Sequence, residues 1–247
     1  MRIVCVIPSR YESSRFPGKP LADLCGKPML QHVYERVLRA KTVTEAAVAT
    51  DDRRIFDAVE KFGGRAIMTA ERHRSGTDRI AEAATVLGLE ANDIVVNIQG
   101  DQPIFEPTQV DEVVEPLLAD SSIPMSTLIY RIIREEEITH PNAVKTVFDK
   151  DHFALYFSRA TIPYDRDHIH DVNYYKHHGI YAYQRHFLET FSQLPQSPLE
   201  KLEALEQLRA LEYGYRIKVI VTPYDSVEVD TPAELARVRD IILSGGA

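Results

Sequence analysis

The sequence has few of the features that form disulfide bonds, structural metal sites or membrane-spanning segments. It has two cysteines, Cys5 and Cys25, in 247 residues, and neither lies in a CxxC or histidine-rich cluster. This excludes a disulfide scaffold and a structural zinc site, and it is typical of reduced cysteines in the cytosol. No apolar run approaches the roughly 20 residues that cross a bilayer, and the opening MRIVCVIP lacks a signal-peptide pattern. We therefore expect a cytoplasmic protein without a membrane partner.

Positive charge is also scarce. The 37 acidic residues outnumber the 29 basic ones and give a formal net charge of -8, which argues against nucleic acid as a partner through a broad basic surface. The hydrophobic share of 44% and the charged share of 27% are those of a globular protein, so a disordered or collagen-like chain is excluded. The length allows one large domain, and no flexible linker divides residues 1–247 into two.

The first hundred residues alternate between buried-strand and helix patterns. Apolar, β-branched runs predict strands over residues 3–7, 46–49, 65–68 and 94–98, and helical periodicity predicts helices that begin near residues 29, 53 and 78. Strands separated by helices at this spacing indicate βαβ units with right-handed connections. The predicted fold class is therefore α/β and Rossmann-like, with a mostly parallel sheet flanked by helices.

The pattern changes beyond residue 107. After a helix that reaches about residue 119, β-branched runs at 126–132 and 144–148 and a looped stretch at 162–173 predict a β-rich insertion that covers a cleft. Strands are predicted over 180–183 and 217–221, and leucines spaced by three indicate an amphipathic helix within 198–213. A last helix is predicted to begin at Thr231-Pro232, a capping residue followed by proline.

A basic loop follows the first predicted strand, where open parallel sheets bind their ligands. Its cations and small residues are Arg10, Arg15, Lys19, Ser13, Ser14 and Gly18. Cations interleaved with small residues let backbone N–H groups approach a polyphosphate, so we interpret the loop as a phosphate site; a solvated basic loop is the alternative. The loop matches neither GxGxxG nor GxxxxGKS, which disfavours dinucleotide and P-loop binding.

Two aspartates are candidate metal ligands. Asp101 lies in NIQGDQP after the strand at 94–98, which places it at the same sheet edge as the basic loop. A carboxylate facing a polyphosphate is repulsive unless a divalent cation lies between them, and Mg²⁺ is held in this way. Asp230 precedes the Thr231-Pro232 helix start. A turn or capping role remains the alternative for both, and the sequence does not show that the two meet.

Three other polar segments have ordinary structural explanations as well as functional ones. Ser75-Gly76-Thr77-Asp78 is either a helix cap or a set of small donors for a nucleoside. His177 and His178 precede a strand, and without a nucleophile motif a hydrolase triad has little support. The polar residues of LEQLR, at 205–209, are expected on the solvated face of their helix.

Seven motifs together resemble one enzyme family. In order they are IPSRYESSRFPGKPL, SGTDRI, NIQGDQP, LYFSRATIP, HHGIYAY, LEQLRALEYG and VDTPAEL. The sequence resembles, essentially end to end, the bacterial 3-deoxy-manno-octulosonate (Kdo) cytidylyltransferases. The resemblance implies the nucleotide-diphospho-sugar transferase fold, a homodimer, and Mg²⁺-dependent transfer of CMP from CTP to the sugar acid for lipopolysaccharide assembly. Same-fold enzymes for another sugar acid, such as sialic acid, and a non-catalytic nucleotide-binding relative are the alternatives.

The resemblance also implies roles for individual residues. Residues 1–105 would form the nucleotide-binding half and residues 106–247 the sugar-binding and dimerisation half. Arg10 and Lys19 would act with Asp101 and Asp230 in catalysis. The expected contacts are CTP phosphates at Arg10, Arg15 and Lys19, cytidine at Ser75, Gly76 and Thr77, Mg²⁺ at Asp101 and Asp230, and the sugar acid at Gln99, Arg159, His177, Tyr181, Glu206 and Gln207.

One segment departs from the family pattern. Residues 224–230 read YDSVEVD where the common ending is Gly-rich, of the PGTGVD kind, and with YKHHGIYAY this resembles the branch that activates 8-amino-3,8-dideoxy-octulosonate. If the segment is extended, Glu228 and Asp230 point to the same face. The ammonium of an amino sugar would balance the extra carboxylate of Glu228; a solvated glutamate at the end of a strand is the alternative.

Overall fold

The computed structural model describes residues 1–12, 16–73, 75–167 and 172–244. Its strands are β1 (Ile3–Ser9), β2 (Asp23–Leu24), β3 (Lys27–Pro28), β4 (Glu45–Thr50), β5 (Ala66–Met68), β6 (Ile94–Asn97), β7 (Met125–Arg131), β8 (Lys145–Phe148), β9 (Ala154–Ser158), β10 (Tyr175–Gln184) and β11 (Ile217–Thr222). Its α-helices are α1 (Met29–Val37), α2 (Arg53–Lys61), α3 (Gly76–Val86), α4 (Thr108–Ala119), α5 (Glu135–Thr139), α6 (Arg185–Gln193), α7 (Pro198–Glu203), α8 (Gln207–Glu212) and α9 (Pro232–Leu243).

A mostly parallel sheet forms the centre of the molecule. Its strand order is β11-β7-β10-β6-β1-β4-β5, and β10 alone in this path runs antiparallel to both of its neighbours. The hairpin of β8 and β9 extends the sheet from β10 through a pairing of Lys176 with Lys145. The α/β fold class and the β-rich insertion are therefore confirmed. No helix within the described ranges has both the length and the apolar character that crossing a membrane requires.

Helices cover both faces of the sheet, and this explains the continuous apolar run of β1. Val4 and Val6 face one core, which α3, α6 and α8 complete, whereas Cys5 and Ile7 face the other, which α1, α2 and α4 complete. Successive side chains of a strand point to opposite faces, so a strand between two helix layers must be apolar at every position. The pattern that predicted a buried strand thus arises from burial on both sides.

A third, smaller core holds the segment before α9. Val229 is fully buried there with Leu24 and Met29 of the region that follows the basic loop, and Leu235 and Val238 of α9 complete the cluster. Burying these apolar side chains fixes the end of the chain against the loop region. Asp230, next to Val229, is thereby brought to the carboxyl end of β1.

The structure corrects two predicted elements. The helix expected within 198–213 is split into α7 and α8 at Ala204, whose φ of 51° is left-handed. Strand β10 begins five residues before the predicted strand at 180, because its polar residues Lys176 and His178 are buried and bonded rather than solvated. Helix α6 and strand β9 were not predicted. Of the looped stretch at 162–173, residues 168–171 lie outside the described ranges.

Candidate active site

A cavity of about 400 Å³ opens beyond the carboxyl ends of β1 and β6. The loop after β1, the start of α3, the turn after β6 and the residue before α9 meet at its wall, although they are far apart in the chain. The lining residues are Pro8, Ser9, Arg10, Glu12, Lys19, Pro20, Gly76, Gln99, Gly100, Asp101 and Asp230. The structure therefore brings together six of the residues singled out from the sequence. Arg15, with Ser13 and Ser14, lies outside the described residues.

Lys19 joins the two aspartates. Its Nζ donates to Oδ2 of Asp101 at 2.8 Å and to Oδ1 of Asp230 at 3.1 Å. Burial alone would lower the pKa of Lys19, but the charges and hydrogen bonds of the two carboxylates outweigh it and raise the pKa above its usual value. The ammonium therefore stays charged, and the two carboxylates converge on one cation.

The structure shows which residues cap α9 and α3, the capping role having been the alternative for two of the candidate segments. Thr231 is the residue that caps α9, its hydroxyl accepting from the backbone N–H of Glu234 at 3.3 Å, so Asp230 is not the cap. Ser75 does cap α3, accepting from the N–H of Asp78 at 3.1 Å. A capped helix N-terminus facing the cavity still presents its dipole to an anion. The contact of this segment with cytidine remains a prediction.

Two glycines let the strand ends approach each other. A Cβ on Gly100 would lie 2.6 Å from Oγ of Ser9 and 3.4 Å from the carbonyl of Pro8, so a side chain here would displace Ser9 and crowd the end of β1, against which the turn that carries Asp101 packs. Gly18 has a φ of +72°, and its N–H donates to the carbonyl of Tyr11 at 2.8 Å, which closes the basic loop. The loop is tied to the segment before α3 by Arg10, whose Nη2 donates to the carbonyl of His73 at 2.7 Å.

Asp101 and Asp230 fit a magnesium site. Mg²⁺ in nucleotide enzymes is held by one or two carboxylates together with phosphates and water, and these two carboxylates already share one cationic partner. Within the described part of the chain there is no group of three or more histidine, cysteine or carboxylate side chains that would hold a metal on its own. The donor set therefore suits a metal that arrives with a polyphosphate.

Strand β10 carries two of the predicted sugar residues. His177 lies against Thr127, its Nε2 at 3.0 Å from the hydroxyl oxygen, and its ring is 5.2 Å from that of Tyr181. Desolvation, with the neighbouring His178, lowers the pKa of His177 to about 3, and burial raises the pKa of Tyr181 well above its usual range. Both side chains are therefore neutral near pH 7. The low pKa makes His177 a weak base and the raised pKa keeps the phenol of Tyr181 protonated, which suits both to hydrogen bonding and not to proton abstraction.

The start of α8 joins the nucleotide and sugar segments. Glu206 accepts a hydrogen bond from the hydroxyl of Thr77 and lies 3.5 Å from Nη2 of Arg209. Burial raises the pKa of Glu206 despite these partners. Gln207 and Arg209 are buried, so their expected place on a solvated helix face is wrong: the break at Ala204 turns this face inward. The Nε2 of Gln207 has no hydrogen-bond partner among the described residues.

Arg159 is held by backbone carbonyls. Its Nε donates to Glu203 at 2.7 Å, its Nη1 to Pro141 at 3.0 Å and its Nη2 to Ala204 at 3.3 Å. Each terminal nitrogen keeps one further N–H, which leaves a pair of donors for a carboxylate. These contacts fix Arg159 beside the α7–α8 break, immediately before Glu206, and its contact with a sugar acid remains a prediction.

A second cavity of about 300 Å³ contains residues that the sequence did not assign to the site. Besides His177 and Glu228, which the sequence analysis singled out, its lining includes Lys176, His178 and Asp225. Desolvation and the charges of Asp101 and Asp230 raise the pKa of Glu228, although the residue as a whole is exposed to solvent, as the alternative from the sequence had it. The polar residues in the segments YKHH and YDSVE were the sequence signal that could have pointed to this cavity.

Three buried polar atoms without a hydrogen-bond partner belong to residues in or next to the predicted site, although others occur elsewhere in the described residues. Oγ of Ser9, Oε1 of Gln102 and Nε2 of Gln207 are buried and have no partner among the described residues. An unsatisfied buried group costs about 1 to 3 kcal/mol, so such atoms are expected where a ligand supplies the missing bond. Ser9 and Gln102 were not among the predicted site residues, because an isolated serine or glutamine has no distinctive spacing.

The mixed sheet, the basic loop at its edge and the converging carboxylates define a nucleotidyltransferase of the α/β type. The family model for cytidylyltransferases matches residues 4–218. A 3-deoxy-manno-octulosonate cytidylyltransferase of Syntrophus aciditrophicus is 73% identical over 242 residues, which are 98% of each chain. The chain therefore belongs to the cytidylyltransferase family, and within it to the group of the 3-deoxy-manno-octulosonate cytidylyltransferases.

Two further comparisons agree with this assignment. An 8-amino-3,8-dideoxy-manno-octulosonate cytidylyltransferase of Shewanella amazonensis is 54% identical over 241 residues, 97% of this chain and 98% of the relative. A solved structure of CMP:2-keto-3-deoxy-manno-octonic acid synthetase, complexed with CTP, superposes with a TM-score of 0.93 at 46% identity and covers 99% of this chain and 100% of that one. Both sugar names thus occur among the similar proteins.

Proposed function

We propose that this protein transfers CMP from CTP to the anomeric hydroxyl of a 3-deoxy-octulosonic acid, either Kdo or its 8-amino analogue, and releases pyrophosphate. The observation that carries the proposal is the convergence of Asp101 and Asp230 on Lys19 in a cavity that the basic loop also lines. The names of the similar proteins support the two sugars and CTP.

The reaction needs positioning and charge neutralisation more than covalent chemistry. The anomeric oxygen attacks the α-phosphorus, the bond from that phosphorus to the bridging oxygen breaks, and the hydroxyl proton is released. Arg10 and Lys19 neutralise the phosphates and the charge that develops on the departing pyrophosphate. Asp101 and Asp230 would hold Mg²⁺, which would supply further neutralisation and lower the pKa of the attacking hydroxyl.

The remaining residues orient the sugar. Arg159 pairs with its carboxylate through the two free N–H groups, and Glu206 and Gln207 bind hydroxyls beside the nucleotide segment. His177, whose low pKa makes it a weak base, orients a hydroxyl without taking its proton. In this proposal Ser75, Gly76 and Thr77 hold cytidine, and Gln99 lies between the cavity and β10, with its Nε2 donating to Oδ1 of Asn97 at 3.2 Å.

The proposal also covers the location of the protein in the cell and its oligomeric state. Two free cysteines, Cys5 and Cys25, support a cytoplasmic location. The proposal includes a homodimer through residues 106–247, the half whose exposed apolar side chains include Leu155, Tyr164 and Leu202. Light scattering on the purified protein tests the dimer, with a monomeric mass as the contradicting result.

The decisive assay is pyrophosphate release. Purified protein is given CTP and Mg²⁺ with Kdo, 8-amino-Kdo or sialic acid in separate reactions. Release with either octulosonic acid is expected. Release with sialic acid alone would identify a different sugar acid, and no release with any of the three would favour a nucleotide-binding protein without catalysis.

A further inference from the structure

A buried tyrosine of β10 lies next to the residues predicted to bind the sugar. Tyr183 is 1% exposed, and its ring is 5.8 Å from that of Tyr181, which is in turn 5.2 Å from the ring of His177. The three rings form a row, and Tyr183 is its most buried member. Tyr183 was not among the predicted site residues, because an aromatic residue in a strand is typical of a core.

The hydroxyl group of Tyr183 meets side chains from two other elements. In the antiparallel pairing of β10 with β6, Asn97 is the partner of Tyr181 and so lies diagonally across from Tyr183 on the same face. The hydroxyl is in hydrogen-bonding contact with Asn97 and with Thr77 of α3. Both of these side chains are 2% exposed, so the contacts are shielded from water.

Each of these two neighbours is bonded to a residue that is predicted to bind the sugar. The Nε2 of Gln99 donates to Oδ1 of Asn97 at 3.2 Å. The hydroxyl of Thr77 donates to Oε2 of Glu206. The phenol of Tyr183 therefore connects the turn after β6 with the start of α8.

Donors and acceptors match along this whole chain of hydrogen bonds. Thr77 has one hydroxyl hydrogen and gives it to Glu206, so its oxygen is left to accept from Tyr183. Burial and the charge of Glu206 raise the pKa of Tyr183, so the phenol keeps its proton near pH 7. Since Oδ1 of Asn97 accepts from Gln99, its Nδ2 is the donor to the phenol oxygen. Hydrogen bonds that run in one direction away from water strengthen one another.

We propose that Tyr183 is a positioning residue for the sugar: its hydroxyl fixes the side chains of Glu206 and Gln99 through their hydrogen-bonded neighbours. This inference rests on the proposed function. The chain of hydrogen bonds ends at two residues predicted to bind the sugar. Its loss should therefore weaken the binding of the sugar and leave the phosphate contacts and the chemical step in place.

The test measures kcat and KM of the wild type and of Tyr183→Phe with Kdo and with 8-amino-Kdo at saturating CTP and Mg²⁺. The KM for CTP is measured at saturating sugar. Phenylalanine keeps the ring and removes the hydroxyl. We expect the KM for the sugar to rise by about 3- to 10-fold, while kcat and the KM for CTP change by less than about 2-fold.

Tyr34→Phe is the matched control. Tyr34 of α1 is 8% exposed, and its hydroxyl donates to the carbonyl of Ala46 at 3.2 Å and accepts from the N–H of Arg65 at 3.1 Å. This variant also removes a buried hydroxyl with two partners, but from the core on the other face of the sheet. Urea denaturation should show a similar loss of stability in both variants, with a raised KM for the sugar in Tyr183→Phe alone.

A second variant breaks the same chain one residue nearer to Glu206. Thr77→Val removes the hydroxyl that contacts Glu206 and should also raise the KM for the sugar, which keeps the inference testable if Tyr183→Phe does not fold. Because both hydroxyls act on Glu206, the double variant should raise this KM by less than the product of the two single effects.

Four outcomes count against the inference. A KM for the sugar that is unchanged in Tyr183→Phe, or raised equally in Tyr34→Phe, would leave Tyr183 as an ordinary core residue. A KM for CTP that rises as much as that for the sugar would assign the hydroxyl to the nucleotide region. Fully multiplicative effects in the double variant would show that Tyr183 does not act through Thr77. No pyrophosphate from the wild type with either sugar would refute the proposed function itself.

Discussion

The nucleotide and sugar regions of the site are assembled in different ways. Lys19, Asp101 and Gly100 follow the ends of two neighbouring parallel strands, and the sheet topology alone brings them together. Glu206 and Arg159 instead depend on a helix break and on polar contacts between segments that are distant in the chain. The first region therefore rests on backbone topology, whereas the second rests on buried polar pairs. Substitutions should affect the two regions differently.

The largest expected effect is on the buried ion pair beside the sugar region. Arg209 donates to Glu200 through Nε at 2.8 Å, and both side chains are almost inaccessible to water. Glu200→Gln leaves a buried guanidinium without its main carboxylate, so we expect the free energy of unfolding to fall by about 3 to 5 kcal/mol. Urea denaturation measures this. The exposed pair of Arg53 and Asp57 is the control, since Asp57→Asn should cost less than about 1 kcal/mol.

The nucleotide region should respond in rate and not in stability. Asp101→Asn and Asp230→Asn each remove a metal ligand without touching the core, so we expect turnover to fall by about 100-fold or more with the melting temperature preserved. Steady-state kinetics across a Mg²⁺ titration and thermal denaturation provide the two readouts. Asp240→Asn, an exposed change on α9, is the control. Near-normal turnover of either variant at saturating Mg²⁺ would remove that aspartate from the metal site.

A smaller effect is expected for Lys19→Ala, which should change the kinetics with CTP more than the kinetics with the sugar. Lys19→Ala removes a cation that acts on the phosphates, so kcat/KM for CTP should fall by about 10- to 100-fold. Dependence on the sugar concentration should change less. Kinetics with each substrate varied in turn, with the exposed Lys27→Ala as control, distinguish these effects. Unchanged CTP kinetics with a large sugar defect would assign the basic loop to the sugar region.

The smallest effect is a pH dependence in the second cavity. Desolvation alone would raise the pKa of Asp225. The hydrogen bonds and charges of His178 and Lys176 outweigh it and lower this pKa to about 2. Because this folded-state pKa lies below the usual value of about 3.9, the contribution to stability is complete above about pH 4 and is lost as the pH falls through about 2. Since a third of the side chain is exposed, we expect about 1 to 2 kcal/mol.

Asp225→Asn tests this contribution. Its free energy of unfolding at pH 7 should be lower than that of the wild type by that amount, and the difference should shrink toward pH 2. Urea denaturation of both proteins at several pH values, with Asp240→Asn alongside, gives the comparison. A difference that stays constant with pH would mean that the ionisation of Asp225 adds nothing to stability.

The predictions from the sequence succeeded where a single physical cause dominates a segment. The apolar run at residues 3–7 reflects burial of β1 on both faces, and Thr231-Pro232 reflects a helix start. They failed at LEQLR, where the polar letters were taken as solvated although Gln207 and Arg209 are buried. Periodicity assumes an unbroken helix, and the left-handed Ala204 carries no letter that marks a break.

Sequence by itself determined the α/β class and the basic loop with Asp101 at one sheet edge, because these follow from local periodicity and from the rule that parallel strands end on the same side. The family followed from the resemblance of seven motifs to a known enzyme family. Only the tertiary structure decided that Asp230 meets Asp101 through Lys19 and that Glu206 contacts Thr77. Those facts join segments more than a hundred residues apart. Contacts between distant residues depend on which apolar faces are buried against each other. The burial of those faces is a property of the whole packed chain.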